Sequence, residues 1–242
     1  MKGVILAGGL GKRLYPLTKI TNKHLLPIYT KPMVYYPIET LVDAGITDIL
    51  VVTGGPHAGE FLRLLGDGRQ FGLKRINYTY QEGEGGIADA LRLAQHFADN
   101  QKIAVILGDN IIEKGIRREV DTFRRQEKGA RILLKKVDDP WRFGVAQIKG
   151  GKIISIQEKP KKPRSDYIVT GIYMYDNKVF EIIRGLRPSG RGELEITDVN
   201  NAYIKMGQLT YGILNGWWTD SGTFDSLLRA NNLVAKRDTK KE

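Results

Sequence analysis

The sequence predicts an α/β protein whose doubly wound, mostly parallel sheet is joined to a mixed or antiparallel part in the second half. Three observations lead to this prediction. Residues 3–7, 49–52 and 103–107 form short, continuous apolar runs, as in strands buried on both faces. The segments between them have helical periodicity. After about residue 129, strand-like segments follow one another, and helices resume only near residue 197.

The first half is organised as strands separated by helices. Residues 33–44 and 86–97 are predicted to be helical, and the first helix is predicted to end at Gly45. Strands connected in this way pair in parallel through crossovers. Ligands of such sheets bind beyond the carboxyl ends of the strands, here after Ala7, Thr53 and Leu107.

The second half contains four predicted strands and two predicted helices. The strands cover residues 131–137, 144–148, 152–157 and 168–175, with a hairpin turn at Gly150 and Gly151. The helices cover residues from an N-cap at Thr197 to Gly207, and from about 225 to 235. We predict one domain over 1–242, divided into halves 1–128 and 129–235 and a charged, solvated tail at 236–242.

Composition excludes several classes of protein. The 242 residues include no cysteine, which rules out disulfides, thiolate nucleophiles and cysteine-based zinc sites. No run approaches the roughly 18 apolar residues that span a bilayer. The formal charge is +11, and no acidic residue precedes Glu39, so basic side chains surround the first glycine-rich turn and favour a phosphate site. Charge alone would also allow nucleic-acid binding, but no recognition helix or RNP motif accompanies it.

The most informative short segment is LAGGLGKRL at residues 6–14. Its glycines would let backbone N–H groups approach phosphate oxygens, and Arg13 suits bidentate phosphate binding. The segment is not a Walker A loop, because Leu6 stands where that motif has its first glycine and Arg13 stands where it has Ser or Thr. It is not a dinucleotide-binding fingerprint either, because Leu14 stands where that motif has its third glycine. From this segment alone, a structural turn and a phosphate cradle are equally compatible.

Isolated charged residues elsewhere each allow two interpretations. Asp109, directly after a buried strand, could hold Mg²⁺ beside a triphosphate or could simply cap a loop, and Asp220 could be a second ligand or an N-cap. Glu158 and Lys159 are neighbours at the end of a strand, where side chains point to opposite faces, so they are not expected to serve one ligand group. Lys23 and the run that begins at Arg191 could be ordinary surface features.

Taken together, these segments resemble the sugar-1-phosphate nucleotidylyltransferases, and most closely the thymidylyltransferases that act on glucose 1-phosphate. The matching segments, in family order, are LAGGLGKRL (6–14), NKHLLPIYTKPMVYYPIETL (22–41), LLGDG (64–68), LGDN (107–110), FGV (143–145), QEKP (157–160), YIVTGIYMYD (167–176), RGELEITDVN (191–200) and DSGTFDSLL (220–228). The matching segments extend over nearly the whole chain, so chance similarity does not explain them.

The resemblance implies the nucleotidyltransferase fold, a nucleotide-binding first half, a sugar-phosphate-binding second half and specific residue roles. Nucleotide binding is implied for Leu6, Gly8, Gly9, Gly11, Lys12, Arg13, Lys23, His24, Gln81, Gly86 and Asp109. Sugar-phosphate binding is implied for Asn110, Gly144, Glu158, Lys159, Val169, Tyr173 and Arg191. Arg13, Lys23, Asp109 and Lys159 would be catalytic, and Asp109 and Asp220 would bind Mg²⁺.

The implied reaction is transfer of a thymidylyl group from dTTP to glucose 1-phosphate, which gives dTDP-glucose and pyrophosphate. A uridylyltransferase using UTP, an enzyme of broad specificity and a non-catalytic regulatory homologue are the alternatives. The resemblance further implies a cytoplasmic enzyme with no nucleic-acid or membrane partner, which forms a homo-oligomer, a dimer or a tetramer.

Two residues depart from the family pattern. Lys12 replaces the usual Thr of the glycine-rich loop, and His24 replaces the usual Gln near the nucleoside site, which leaves the choice between thymine and uracil open. The sequence continues only a few residues past Ala235, whereas longer relatives have further helices associated with a regulatory nucleotide site. We therefore expect weak or no feedback by the nucleotide sugar.

Overall fold

The computed structural model describes residues 1–239, and residues 240–242 of the predicted charged tail lie outside the described residues. The strands are β1 (Lys2–Ala7), β2 (Pro27–Ile28), β3 (Lys31–Pro32), β4 (Asp48–Gly54), β5 (Arg75–Gln81), β6 (Ile103–Leu107), β7 (Ile111–Ile112), β8 (Ala130–Lys136), β9 (Gly144–Lys149), β10 (Lys152–Glu158), β11 (Tyr167–Tyr175), β12 (Leu209–Ile213) and β13 (Trp218–Thr219). The helices are α1 (Tyr35–Asp43), α2 (Ala58–Leu65), α3 (Ile87–Arg92), α4 (Gln95–Ala98), α5 (Arg117–Arg125), α6 (Val179–Arg184), α7 (Ile196–Lys205) and α8 (Phe224–Asp238).

A nine-stranded sheet runs through the described part of the molecule. Seven strands follow in the spatial order β10, β9, β11, β6, β1, β4 and β5, and the other two branch from it, β8 pairing with β11 and β12 pairing with β8. Strand β1 pairs in parallel with both β4 and β6, and β4 pairs in parallel with β5. The three strands predicted from continuous apolar runs are therefore adjacent and parallel, as the sequence indicated.

Strand β1 shows why the sheet is covered on both faces. Val4 and Leu6 pack into one apolar cluster, and Ile5 and Ala7 pack into another on the opposite side. Side chains alternate between the faces of a strand, so a run without polar residues needs an apolar layer on each side. Burial of each large aliphatic side chain contributes about 1.5–3 kcal/mol. The doubly wound α/β fold is confirmed.

The second half extends this same sheet with antiparallel pairs. Strand β11 pairs antiparallel with β6 and with β8, and β9 pairs antiparallel with β10. The predicted hairpin turn joins β9 to β10, and Gly150 and Gly151 have positive φ angles of 57° and 72°, as a two-residue hairpin turn requires. The mixed part predicted from sequence is thus continuous with the parallel part.

Several predicted elements differ in detail from the structure. The helix predicted over 86–97 is interrupted, and forms α3 and α4. Thr197 is not an N-cap, because α7 begins at Ile196 after Glu195, and the Thr197 hydroxyl donates instead to Glu158. Strand β5 was not predicted.

The last helix is longer than predicted. Helix α8 continues past Ala235 to Asp238, so the first residues of the predicted tail are helical. Lys236 and Arg237 lie in its last turn, where positive charge interacts favourably with the helix dipole. The division into two functional halves remains a prediction.

Candidate active site

A cleft of about 340 Å³ lies at the carboxyl ends of β1, β5 and β6. This is the edge of the sheet at which the topology predicts a ligand. The predicted site residues that line it are Leu6, Gly8, Gly9, Arg13, Lys23, His24, Gln81, Gly86, Asp109, Asn110, Gly144, Glu158, Lys159, Val169, Tyr173 and Asp220. Gly11, Lys12 and Arg191 are the predicted residues that are not part of its lining.

The glycine-rich turn forms one wall of the cleft with its backbone. A Cβ atom on Gly8 would lie 2.7 Å from Gln81 Oε1, closer than real Cβ atoms approach. Glycine at this position therefore allows the turn after β1 to approach the end of β5 at the floor of the cleft, and it leaves peptide groups facing the cavity. Between the two interpretations left open by the sequence, this arrangement favours the phosphate cradle.

Lys12 is not part of the cleft lining, and its role in nucleotide binding stays a prediction. Its exposed ammonium forms an ion pair with Glu84, which does line the cleft. The pair connects the glycine-rich turn with the loop that follows β5. Exposed ion pairs contribute little to stability, usually less than about 1 kcal/mol.

Lys23 and Asp109 form a close ion pair inside the cleft. Lys23 Nζ lies 2.5 Å from Asp109 Oδ2, and Asn110 Nδ2 donates to Asp109 Oδ1 at 3.1 Å. Burial opposes ionisation of Asp109, but the charge of Lys23 outweighs it and holds the pKa of Asp109 well below its usual value. Asp109 is therefore a carboxylate at neutral pH, with a cation already beside it.

Asp220 is the second carboxylate of the cleft, and it is less well paired. Its Oδ1 finds no hydrogen-bond partner within residues 1–239, although the side chain is buried. Arg142 Nη2 lies 3.6 Å from Oδ2, and Arg229 Nη2 lies 3.8 Å from Oδ1. Burial and the nearby charge of Asp109 raise the pKa of Asp220. A buried carboxylate oxygen without a donor is suited to a cation.

The two carboxylates fit a particular kind of metal site. Across residues 1–239, the structure brings together no group of three or more His, Asp or Glu side chains that could hold a metal by themselves. Mg²⁺ is commonly bound by one or two carboxylates, with substrate phosphates and waters completing its coordination. Asp109 and Asp220 match that donor set.

His24 is buried beside the cleft and is held in one orientation. Asn22 Oδ1 accepts from the His24 backbone N–H at 3.0 Å, so the atom facing the ring is an oxygen, and Nδ1 donates to it at 2.7 Å. Burial, together with the positive charge of Lys23, lowers the pKa of His24 from its ordinary value of 6.5 to about 3. His24 is therefore a neutral ring in the lining of the cleft at physiological pH.

The buried histidine predicts an acid-sensitive stability. Between pH 6.5 and 3 the unfolded chain binds a proton at His24 that the folded chain does not, so stability falls as the pH falls. The difference is about 1.4 kcal/mol per pH unit, or about 2 kcal/mol between pH 6.5 and 5. The free energy of unfolding, measured with urea at pH 7.5 and at pH 5, gives the loss of stability on acidification. We expect that loss to be smaller in His24→Gln by the contribution of the histidine.

The exposed His96 provides the matched control, since His96→Gln should keep the pH dependence of the unmodified protein. Equal losses of stability on acidification in the unmodified protein and in His24→Gln would contradict the assignment of a neutral, buried His24.

Glu158 and Lys159 point into the same cleft, which corrects the expectation of opposite faces. Strand β10 ends at Glu158, and Lys159 has a φ of 42°, in the left-handed region. This turn redirects the side chain, so that Lys159 Nζ lies 3.7 Å from Glu158 Oε1. The Lys159 N–H donates to the Phe143 carbonyl at 3.0 Å, which anchors the unusual backbone.

Arg191 lies at the rim and is held by acidic residues. Its Nη2 donates to Glu195 Oε2 at 2.8 Å and lies 3.2 Å from Glu193 Oε2 and 3.7 Å from Glu158 Oε1. The guanidinium therefore lies next to the Glu158 side of the cleft without forming its wall.

Sequence reasoning missed several residues of the site. Trp218 Nε1 donates to Asn110 Oδ1 at 2.7 Å, and the Gly171 N–H donates to the same oxygen at 2.9 Å, which fixes the Asn110 amide. Thr197 donates to Glu158 Oε2 at 2.7 Å and orients that carboxylate. Arg142 lies beside the FGV motif, and this proximity was the available signal for it.

The fold and the cleft define a class of protein: an α/β enzyme that binds phosphorylated ligands between cationic side chains and two carboxylates. Comparison with known proteins agrees. The family model described as nucleotidyl transferase matches residues 2–237.

Several similar curated proteins are named glucose-1-phosphate thymidylyltransferase. The one from Neisseria meningitidis serogroup A is 44% identical over 238 residues, 97% of this chain and 82% of its own length. The one from Mycolicibacterium smegmatis is 46% identical over 238 residues, with the same coverage of 97% and 82%.

Solved structures add a further comparison. A Bacillus anthracis crystal structure, described as a glucose-1-phosphate thymidylyltransferase with a bound sucrose, is 56% identical, with a TM-score of 0.92 and coverage of 96% of this chain and 94% of that one. A UDP-glucose pyrophosphorylase with UDP-glucose has a TM-score of 0.85 at 23% identity, covers 98% of each chain, and shows the fold alone. The chain belongs to the nucleotidyl transferase family, within its glucose-1-phosphate thymidylyltransferase group.

The helices of the described residues are too short or too polar to span a membrane. Within residues 1–239, none of them combines the length and the apolar character needed to cross a bilayer.

Proposed function

We propose that this enzyme transfers a thymidylyl group from dTTP to glucose 1-phosphate and releases pyrophosphate. The observation that carries the proposal is one cleft in which Asp109 and Asp220 face the cations Arg13, Lys23 and Lys159. Two polyanionic substrates that react with each other need such a distribution of charge. The names of the similar proteins supply the identity of the sugar phosphate and of the nucleotidyl group.

The glycine-rich end of the cleft would hold the nucleotide. Arg13 and Lys23 would bind the triphosphate, and the peptide groups at Gly8 and Gly9 would approach its oxygens. Gln81, together with Gly86, would contact the base.

The opposite end of the cleft would hold the sugar phosphate. Lys159, with Arg191 at the rim, would bind the phosphate of glucose 1-phosphate. Glu158, oriented by Thr197, would accept hydrogen bonds from sugar hydroxyls. Gly144, Val169, Tyr173 and Asn110 line the space between them.

The reaction follows from these positions. An oxygen of the sugar phosphate forms a bond to the α-phosphorus of dTTP, while the bond from that phosphorus to the bridging oxygen breaks and its electron pair leaves with pyrophosphate. The nucleophile is already anionic at neutral pH, so no strong base is required. Lys23, Arg13 and Lys159 lower the repulsion between the two phosphate groups and orient them in line.

Asp109 and Asp220 would hold Mg²⁺, which supplies charge neutralisation at the phosphate oxygens. The unpartnered Asp220 Oδ1 supports this assignment. Asp109 is paired with Lys23, and the same lysine would pair with the triphosphate when nucleotide binds.

Among the alternatives, a non-catalytic homologue is disfavoured because the charged groups that the proposed reaction needs are present in the cleft and, for Arg191, at its rim. A uridylyltransferase would use the same groups, and thymine differs from uracil by one methyl group, worth about 1 kcal/mol in a pocket.

We further propose that the enzyme is cytoplasmic, since both substrates are charged metabolites that do not cross membranes. We also propose that it forms a homo-oligomer.

Pyrophosphate release tests the proposed reaction. We expect release with dTTP and glucose 1-phosphate in the presence of Mg²⁺, and its loss on chelation of the metal. Glucose 1-phosphate should be used better than mannose 1-phosphate or N-acetylglucosamine 1-phosphate. Release with another sugar phosphate alone would leave the reaction type in place and contradict the assigned sugar.

A further inference from the structure

The side-chain amide of Gln81 is held in one orientation by a residue outside the cleft. Gln81 is buried at the end of β5, and its Nε2 donates to Asp89 Oδ2 at 2.9 Å and to the Gly86 carbonyl at 3.2 Å. A primary amide has two N–H donors, and both are used here. Its oxygen, Oε1, lies on the Gly8 side, where both residues line the cleft.

Asp89 is itself held in place. Its Oδ1 accepts from Arg92 Nη2 at 2.9 Å, and both residues belong to α3. Were the Gln81 amide to flip, its oxygen would face Asp89 Oδ2 and the Gly86 carbonyl, and three acceptors would meet without a proton. A carboxylate has no donor to offer, so the network allows one orientation.

The cleft therefore presents a hydrogen-bond acceptor at this point. We propose that Asp89, a positioning residue that acts through Gln81, selects the nucleobase by the hydrogen-bonding pattern of its edge. The inference rests on the proposed function, in which this end of the cleft holds the base of the triphosphate. It names the class of base: one with an N–H donor at the ring position that faces Gln81.

Thymine and uracil carry that donor at N3, whereas N3 of cytosine is an acceptor. Cytosine would place an acceptor against Gln81 Oε1 and leave two polar groups unpaired in a buried site. Sites that hydrogen-bond a substrate group reject analogues lacking it far more strongly than apolar pockets reject a missing methyl. We expect kcat/KM for dTTP to exceed that for dCTP by about 100-fold or more.

Asp89→Asn tests the role of this residue. If the new amide keeps its oxygen on Arg92, it presents an N–H to Gln81, so the present orientation of Gln81 brings two donors together, while the flipped one opposes only the Gly86 carbonyl. The preference for a single orientation is therefore lost, and in part of the molecules a Gln81 N–H faces the cleft. We expect the dTTP to dCTP ratio of kcat/KM to fall by about tenfold or more. The dTTP to UTP ratio should not change, because the two bases share this edge, and KM for glucose 1-phosphate should stay within about twofold.

The carboxylate of Asp89→Glu keeps two acceptor oxygens and no donor. This variant should therefore have a dTTP to dCTP ratio of kcat/KM close to that of the unmodified enzyme. Asp89→Ser, whose hydroxyl is too short to hold Gln81, provides a second loss-of-contact variant should the amide variant not fold. A merely structural role for Asp89 would lower the rates with dTTP and dCTP together and leave their ratio unchanged.

The outcomes distinguish failure of the base placement from failure of the role of Asp89. An unmodified enzyme that does not discriminate dTTP and UTP from dCTP would overturn the placement of the base, and with it this inference. Discrimination in the unmodified enzyme that persists in both Asp89→Asn and Asp89→Ser would overturn the role of Asp89 and leave the proposed function standing.

Discussion

Lys159→Met is expected to lower kcat/KM by about 10³-fold, or about 4 kcal/mol of transition-state stabilisation, and to leave the fold intact. The Lys159 ammonium is half exposed, and its ion-pair contact is with Glu158 at 3.7 Å, so it contributes little to stability. Its charge would be needed when two phosphate groups are brought together. Steady-state kinetics with both substrates, together with urea unfolding, measures the two effects separately.

The same position offers a test in which stability and activity move in opposite directions. Lys159 holds a φ of 42°, which costs a non-glycine residue about 1 kcal/mol or more. Lys159→Gly should therefore be as stable as the unmodified protein or more so, yet as inactive as the methionine variant. Lys161→Met, a nearby exposed lysine in the same loop, serves as the control and should retain activity. Substantial activity in both Lys159 variants would contradict its assigned role.

Asp220→Asn is expected to lower kcat by about 10³-fold or more, because it removes one of the two carboxylates that would hold the metal. The effect on stability should be small or favourable. Asp220 is buried, its Oδ1 finds no donor within residues 1–239, and its nearest cations are 3.6 and 3.8 Å away, so ionisation is poorly compensated in the free protein. Asparagine has the same shape without the charge.

The measurement is kcat as a function of Mg²⁺ concentration, together with the thermal midpoint without metal. Asp225→Asn is the matched control, since Asp225 is an exposed carboxylate at the start of α8 and outside the cleft lining. It should keep both the rate and the Mg²⁺ dependence. An Asp220→Asn enzyme with normal rate and normal Mg²⁺ dependence would refute the proposed metal site.

The parallel part of the fold was predictable because its strands are buried on both faces. Residues 3–7, 49–52 and 103–107 are apolar throughout, and short runs of this kind between helical segments are typical of the central strands of a parallel sheet. The location of the cleft followed from the same strands, since ligands collect at their carboxyl ends. Strand β5 was missed because it lies at the edge of the sheet and mixes exposed and half-buried residues, which obscures its periodicity.

The parts of the site that could not be predicted depend on backbone turns and on contacts between distant residues. Alternation along a strand predicts that Glu158 and Lys159 lie on opposite faces. The strand ends at Glu158, however, and the positive φ of Lys159 turns its side chain toward the same cleft. Threonine is common at helix N-caps, yet the Thr197 hydroxyl donates to Glu158, 39 positions earlier in the chain. Lys12 carries a positive charge that could bind phosphate, but in the structure it forms an ion pair with Glu84. The two residues are 72 positions apart in the chain, so only the fold shows that they meet.

The most direct test of the proposed reaction is a competition in one vessel. Equal concentrations of dTTP and UTP are incubated with glucose 1-phosphate and Mg²⁺, and the nucleotide sugars and pyrophosphate are quantified by mass spectrometry. We predict that dTDP-glucose is the main product, formed in equal amount with pyrophosphate. UDP-glucose alone would contradict the assigned base, and the absence of any nucleotide sugar, with this or another sugar 1-phosphate, would contradict the proposed transfer itself.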